Sequence, residues 1–147
     1  DKLIALGDAA RSDTLLRAAY SYTVGTDLRA IDTHWPTWYV YAEVDKFLEK
    51  SQLVGIAEGR FGHSFRLDPI SRNLVFFPHA VLAASYDDSF ANPEAYSVGA
   101  GGSLRYWFGE TKYLAPPSYW ELTLQYRFRI AGDKRAEGIF AQTSINY

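Results

Sequence analysis

Between residues 119 and 131 the sequence alternates without a fault. Trp120, Leu122, Leu124, Tyr126, Phe128 and Ile130 occupy every second position, and Glu121, Thr123, Gln125, Arg127 and Arg129 fill the places between. An extended chain sends successive side chains to opposite faces, whereas a helix would scatter this set around its circumference. The segment is therefore a strand with one apolar and one polar face, and the rest of the chain must supply neighbours for it.

The same period recurs along the sequence. Tyr96, Val98, Ala100, Leu104, Tyr106 and Phe108 alternate with Ser97, Gly99, Gly101, Ser103 and Arg105. Trp38, Val40, Ala42 and Val44 alternate with Tyr39, Tyr41, Glu43 and Asp45, and Leu16, Ala18, Tyr20, Tyr22 and Val24 with Leu15, Arg17, Ala19, Ser21 and Thr23. At the end of the chain Ile139, Ala141, Thr143, Ile145 and Tyr147 stand opposite Phe140, Gln142, Ser144 and Asn146. Two middle stretches, residues 53–67 and 74–86, are noisier, and Pro78 in the second predicts a bulge or a strand edge. Turn-forming clusters such as Asp68-Pro69, Asn92-Pro93 and Gly132-Asp133-Lys134 separate the runs. The expected fold is all-β: an antiparallel up-and-down meander of seven to eight strands in a single domain over residues 1–147. Residues 1–12 form a short extra strand or a linker, with 3–10 the candidate eighth strand, and 13–147 form the seven-strand meander.

Composition narrows the function. A formal charge of −2 gives no basic footprint, so nucleic acid is not an expected partner. The chain has no cysteine, and its three histidines lack metal-ligand spacing, so neither a metal nor a cofactor is expected. Glu43, Asp45, Glu58 and Glu121 could supply a glycosidase pair, but arginines nearby favour charge compensation. His63 and His79 stand in no triad motif, and Gly99-Ala100-Gly101-Gly102 lies inside an alternating strand without the Lys-Ser/Thr of a phosphate loop. No catalytic residue is expected. Methionine is absent even at position 1, so either a segment was removed ahead of Asp1 or the chain is a domain of a longer one.

The contents of the polar faces indicate the surroundings. Arg17, Glu43, Asp45, Glu58, Arg60, Arg66, Arg105, Glu121, Gln125, Arg127 and Arg129 fill them, and Lys46 is the only lysine within the strand interiors. Arginine with carboxylate suits an enclosed space, so these are expected inner-face or lumen residues. Trp35, Trp38, Tyr39, Tyr106, Trp107, Tyr119 and Trp120 gather where strands meet loops, which predicts a membrane girdle. Ile139, Ala141, Ile145 and Tyr147 form an apolar ladder with a terminal aromatic, as in a barrel-insertion signal. Together these predict an outer-membrane-type β-barrel, or a segment of a larger one, with outer-membrane lipid as its partner. Seven strands leave an edge for residues 3–10 as an eighth strand, for strands ahead of Asp1, or for other copies. With Tyr147 on the periplasmic side, the longer links 25–36 and 110–117 also face the periplasm. A self-assembling surface protein and a soluble ligand-binding barrel remain the alternatives.

Five stretches taken together carry a resemblance: Ala10-Arg11-Ser12-Asp13-Thr14-Leu15-Leu16-Arg17, His34-Trp35-Pro36-Thr37-Trp38-Tyr39, Gly59-Arg60-Phe61-Gly62, Ser103-Leu104-Arg105-Tyr106-Trp107-Phe108 and Leu124-Gln125-Tyr126-Arg127-Phe128-Arg129. Over residues 10–147 the chain resembles the carboxyl-terminal domain of the bacteriophage adsorption protein A family, the outer-membrane receptor of the phage called N-four. The resemblance implies a non-enzymatic outer-membrane β domain, similar to exopolysaccharide-export porins, at the surface of a Gram-negative bacterium. It implies a polysaccharide or a phage tail protein as partner, and it brings no catalytic residue.

Overall fold

The computed structural model describes residues 2–3, 13–26, 33–108 and 118–146. Within them lie β1 (Lys2–Leu3), β2 (Asp13–Val24), β3 (His34–Phe47), β4 (Leu53–Arg66), β5 (Leu74–Asp87), β6 (Glu94–Phe108), β7 (Ser118–Gly132) and β8 (Gly138–Asn146), with one 3₁₀ turn at Lys134–Ala136. Each strand pairs antiparallel with the next, in the order β1 to β8. The sheet is an open, strongly curled half-barrel whose edges stand 14 Å apart. Of the expected eighth strand at residues 3–10 only Leu3 lies within the described residues, and there it is paired with Asp13.

Register fixes the two faces. Arg17 pairs with Asp45, Tyr39 with Arg60, Arg60 with Val81, Val81 with Gly99 and Gly99 with Arg127, so the polar sets of all strands share the concave side. The apolar sets share the convex side by the same period of two. We call the end bearing the turns 48–50, 88–93 and 133–137 the upper end, and the end bearing the turn 67–73 the lower end.

Pro78 neither bulges nor ends its strand. It sits in β5, between β4 and β6, and pairs with Gly102. Proline has no amide to donate. Accordingly the β4–β5 ladder lapses between Gly62↔His79 and Phe65↔Phe76 and then resumes in the same register. The irregularity in the sheet falls instead between β6 and β7, where Tyr96 opposes Ala131 and Ser97 opposes Arg129, leaving Ile130 as the extra residue.

Turns at the upper end are tied to one another. The Asp13 carboxylate accepts from the amides of Thr14 (2.7 Å), Glu49 (2.9 Å) and Lys50 (3.3 Å). Gln52 donates to Asp87 at 2.8 Å, and the Leu53 amide to Asp88 at 3.0 Å. Arg135 donates to the carbonyls of Asn92 and Pro93 while lying over the Phe90 ring.

Candidate functional site

The concave face is a packed polar interior. Arg60 is 5% exposed. Its guanidinium pairs with Glu58, lies 3.7 Å from Glu121, donates to Thr123 (3.3 Å) and Gln142 (2.6 Å), and stacks over Tyr39. Arg127 pairs with Glu58 and Gln125 and covers the Phe140 ring, and Arg105 pairs with Glu121 beside Tyr119 and Trp107. Ser103 and Thr123 share a 2.7 Å hydrogen bond. His79 donates from Nδ1 to the Phe77 carbonyl at 2.9 Å and accepts from Gln125 at 3.2 Å, which satisfies both ring nitrogens. No buried side-chain nitrogen or oxygen among the described residues lacks a partner. A cavity of about 10 Å³ beside Trp35, Arg105 and Glu121 has room for one water.

The expected inner-face residues divide by depth. Asp45, Arg60 and Gln125 are buried, and Glu43, Glu58, Arg105, Glu121 and Arg127 are half-buried. Arg17 reaches from exposed β2 to Asp45 (2.9 Å) and Glu43 (3.3 Å). Arg66 turns to Asp68 at the lower rim instead of joining the cluster, and Arg129 is exposed at the upper end with the Gly132 carbonyl as acceptor. Each of Glu43, Asp45, Glu58 and Glu121 lies against an arginine. His63 contacts His34 at 2.9 Å on the convex side, so it cannot act with His79. Among the described residues no group of three or more histidines and carboxylates could hold a metal.

The aromatic girdle divides by parity. Trp38, Tyr106 and Trp120 stand exposed on the convex face near the lower end. The other four point inward. Trp35, Val75 and Trp107 form a buried apolar cluster with Tyr119 packed against it, and Tyr39 stacks on Tyr41. The seven residues expected to form one girdle therefore stand on two faces, three outward and four inward. Beside the cluster, the Trp35 indole and the Thr37 hydroxyl donate to the Gly25 carbonyl. Gly25 has φ +71°, and a Cβ there would meet the Pro36 carbonyl at 2.2 Å, so the turn requires glycine.

Sequence reasoning missed this apolar plug, and also Phe77 and Val81 on the concave side of β5. Their signal is weak because β5 is apolar on both faces. Ile139, Ala141 and Ile145 stand on the convex face of β8, while Tyr147 lies outside the described residues.

The convex face carries no Asp, Glu, Lys or Arg along β2 to β8 except Lys46 and Glu94, both at the upper end. Ile130 is 63% exposed and Leu124 57%. An apolar hollow of about 400 Å³ lies on it between Val40, Phe61, Leu82 and Tyr96. A compact monomer of 16.6 kDa exposes roughly 7,600 Å². This chain exposes 9981 Å², and its large apolar side chains are prominent among the exposed residues.

With the two faces thus assigned, a family described as bacteriophage N adsorption protein A C-term matches residues 1–143. The chain belongs to that family. Nothing among curated proteins or solved structures matches it. Membership in the adsorption protein A family places the chain among outer-surface proteins. A curled sheet with its carboxylates neutralised by arginine is a structural, non-enzymatic domain of that family.

Proposed function

We propose that this chain is an outer-membrane β domain whose convex face meets lipid and whose concave face is a closed polar interior, displaying its upper rim as an adsorption surface. The convex face from β2 to β8, free of charged side chains below Lys46 and Glu94 at its upper end, carries the reading. Its strands are 12 to 15 residues long from β2 to β7, and a tilted strand needs about 9–11 to cross the hydrocarbon layer. Water would leave that face unpartnered, and monomers rarely expose apolar patches beyond a few hundred Å².

The filled interior favours a receptor over a conduit. In a barrel of about eight strands the side chains occupy the lumen, and here Arg60, Arg105 and Arg127 do so with their carboxylates. A phage tail protein or a surface polysaccharide would therefore meet the upper rim, where the turns 48–50, 88–93 and 133–137 are held by Asp13, Asp87 and Arg135. Light scattering during size-exclusion chromatography, with and without detergent, tests the reading. A detergent-requiring particle with heat-modifiable migration on a gel is expected, and a monodisperse detergent-free monomer overturns it.

A further inference from the structure

Twenty-nine residues separate His34 from His63 along the chain, and the sheet brings them together. Register on β3 and β4 sets His34 opposite Phe65 and Pro36 opposite His63, so the two imidazoles are diagonal neighbours on the convex face. The pairing continues past them, with the Arg66 amide donating to the Thr33 carbonyl at 2.9 Å. Nδ1 of His34 lies 2.9 Å from Nε2 of His63. The Phe65 ring packs beside both, with centroids 6.3 and 5.1 Å away.

That contact holds one hydrogen between two nitrogens. When both rings are neutral, moving it to the outer nitrogen of its own ring leaves two lone pairs side by side and changes no charge. Two imidazole nitrogens about 2.0–2.1 Å from one ion stand about 2.9 Å apart at a right angle and about 3.4 Å apart at a tetrahedral one. The separation of 2.9 Å is the right-angle value, which belongs to the square-planar or tetragonal sites of Cu(II) and Ni(II). The last torsion of histidine is broad, so a turn of each ring aims both lone pairs at one point.

Charge and access agree with this. The convex face carries no Asp, Glu, Lys or Arg along β2 to β8 except Lys46 and Glu94 at the opposite end. No cation nearby on that face repels an incoming ion, and no carboxylate there favours Ca(II) or Mg(II) over a metal that prefers nitrogen. His34 begins the 14-residue β3. It lies about 21 Å along the strand from the centre, or about 16 Å in height at a tilt of about 40°, beyond the half-height of about 12 Å of an apolar band. Water therefore reaches the pair whether lipid or solvent covers the convex face.

The geometry points to a transition-metal site at the lower rim, in which His34 through Nδ1 and His63 through Nε2 hold one Cu(II) ion and water fills its remaining positions. Copper heads the affinity order of divalent metals at nitrogen sites. With two protein ligands the ion exchanges with solvent, unlike one in the closed four-ligand shell of a structural zinc site.

The test titrates the whole chain, in detergent micelles, with Cu(II) alone, followed by calorimetry and electron paramagnetic resonance. One ion per chain is expected, with hyperfine coupling to two imidazole nitrogens. His34→Ala and His63→Ala should each weaken binding about 100-fold or more, because two-point capture is lost. His34→Gln, which keeps a polar side chain of similar size, should fail in the same way while leaving the urea midpoint of the metal-free chain unchanged. Equal copper affinity in the variant lacking both histidines overturns the proposal. So does coupling to a single nitrogen, displacement of the copper by equimolar Ca(II), or no binding by the parent chain.

Discussion

Replacing Leu124 by arginine separates a lipid-facing from a water-facing convex surface. Leu124 is one residue from the centre of β7 (Ser118–Gly132), so about 3 Å from mid-height at the rise of a strand. It is 57% exposed. In water an arginine there changes stability by no more than about 0.5 kcal/mol, the usual range for surface substitutions. At a bilayer midplane the same change costs about 2–4 kcal/mol. Ile130→Arg on the same strand is the internal control. It lies five residues from the centre, about 13 Å in height after a tilt of about 40°, at the border of an apolar band about 25 Å tall, where the cost falls to about 0–1 kcal/mol. The assay is urea unfolding from lipid vesicles followed by tryptophan fluorescence, for which the chain has four reporters. With a slope of about 2 kcal/mol per molar urea, Leu124→Arg should lower the midpoint by about 1–2 M and Ile130→Arg by less than about 0.5 M. Equal, small shifts for the two variants would refute the argument, because depth is the variable that separates them.

Arg60→Ala removes the centre of the interior network, and since Glu58 keeps Arg127 and Glu121 keeps Arg105, the loss should sit near the lower end of the buried-pair range, about 3 kcal/mol. Arg129→Ala, at the exposed upper end, should cost less than about 0.5 kcal/mol in the same unfolding assay, and equal costs would argue against an enclosed interior. At Gly99 a Cβ would meet the Tyr126 carbonyl at 2.0 Å, whereas at Gly55 the nearest atom is 3.7 Å away. Gly99→Ala should therefore cost about 2–3 kcal/mol and speed amide exchange in β7, with Gly55→Ala near neutral. Asp68 lies in the lower turn, outside the strands, and two bonds from Arg66 (2.6 and 3.0 Å) hold its carboxyl below the usual aspartate value. The order this lends the turn is present above the free-aspartate value and is lost as pH falls through the depressed one. A carbon-detected titration should show the midpoint returning upward in Arg66→Ala.

The period of two made most of the fold legible. It placed Arg17, Glu43, Glu58, Arg105, Glu121 and Arg127 on one face before any strand was paired, and antiparallel register then brought them together. Where both faces of a strand share a chemistry, the signal fades. On β5, Val75, Phe77 and Val81 point inward while Phe76 and Leu82 point outward, so hydropathy alone could not assign its sides. Pro78 misled for a related reason: its missing amide is absorbed by a lapse of a few rungs, and a ladder that is continuous on the β6 side keeps the register. The expected aromatic girdle splits between the two faces. Alternation had already put Tyr39 with Glu43 and Asp45, and grouping it with Trp38 by proximity along the chain overrode a parity that the structure obeys.

Charge and curvature are linked in this sheet. Small concave residues on β6, Ser97, Gly99 and Gly101, face the longer Arg129, Arg127 and Gln125 side chains of β7, and at Gly99 and Gly101 a Cβ would collide with the β7 backbone. That close approach lets the sheet curl tightly enough for Arg60 of β4 to touch both Thr123 of β7 and Gln142 of β8. Tight curling in turn buries the guanidinium groups, and burial demands the carboxylates that accompany them, since an unpaired charge inside costs several kcal/mol. The glycines, the arginines and the glutamates are parts of one solution to filling a narrow interior. It follows that widening the sheet by enlarging Gly99 and Gly101 together should loosen the Arg60 contacts to Thr123 and Gln142, far from the substituted positions in sequence.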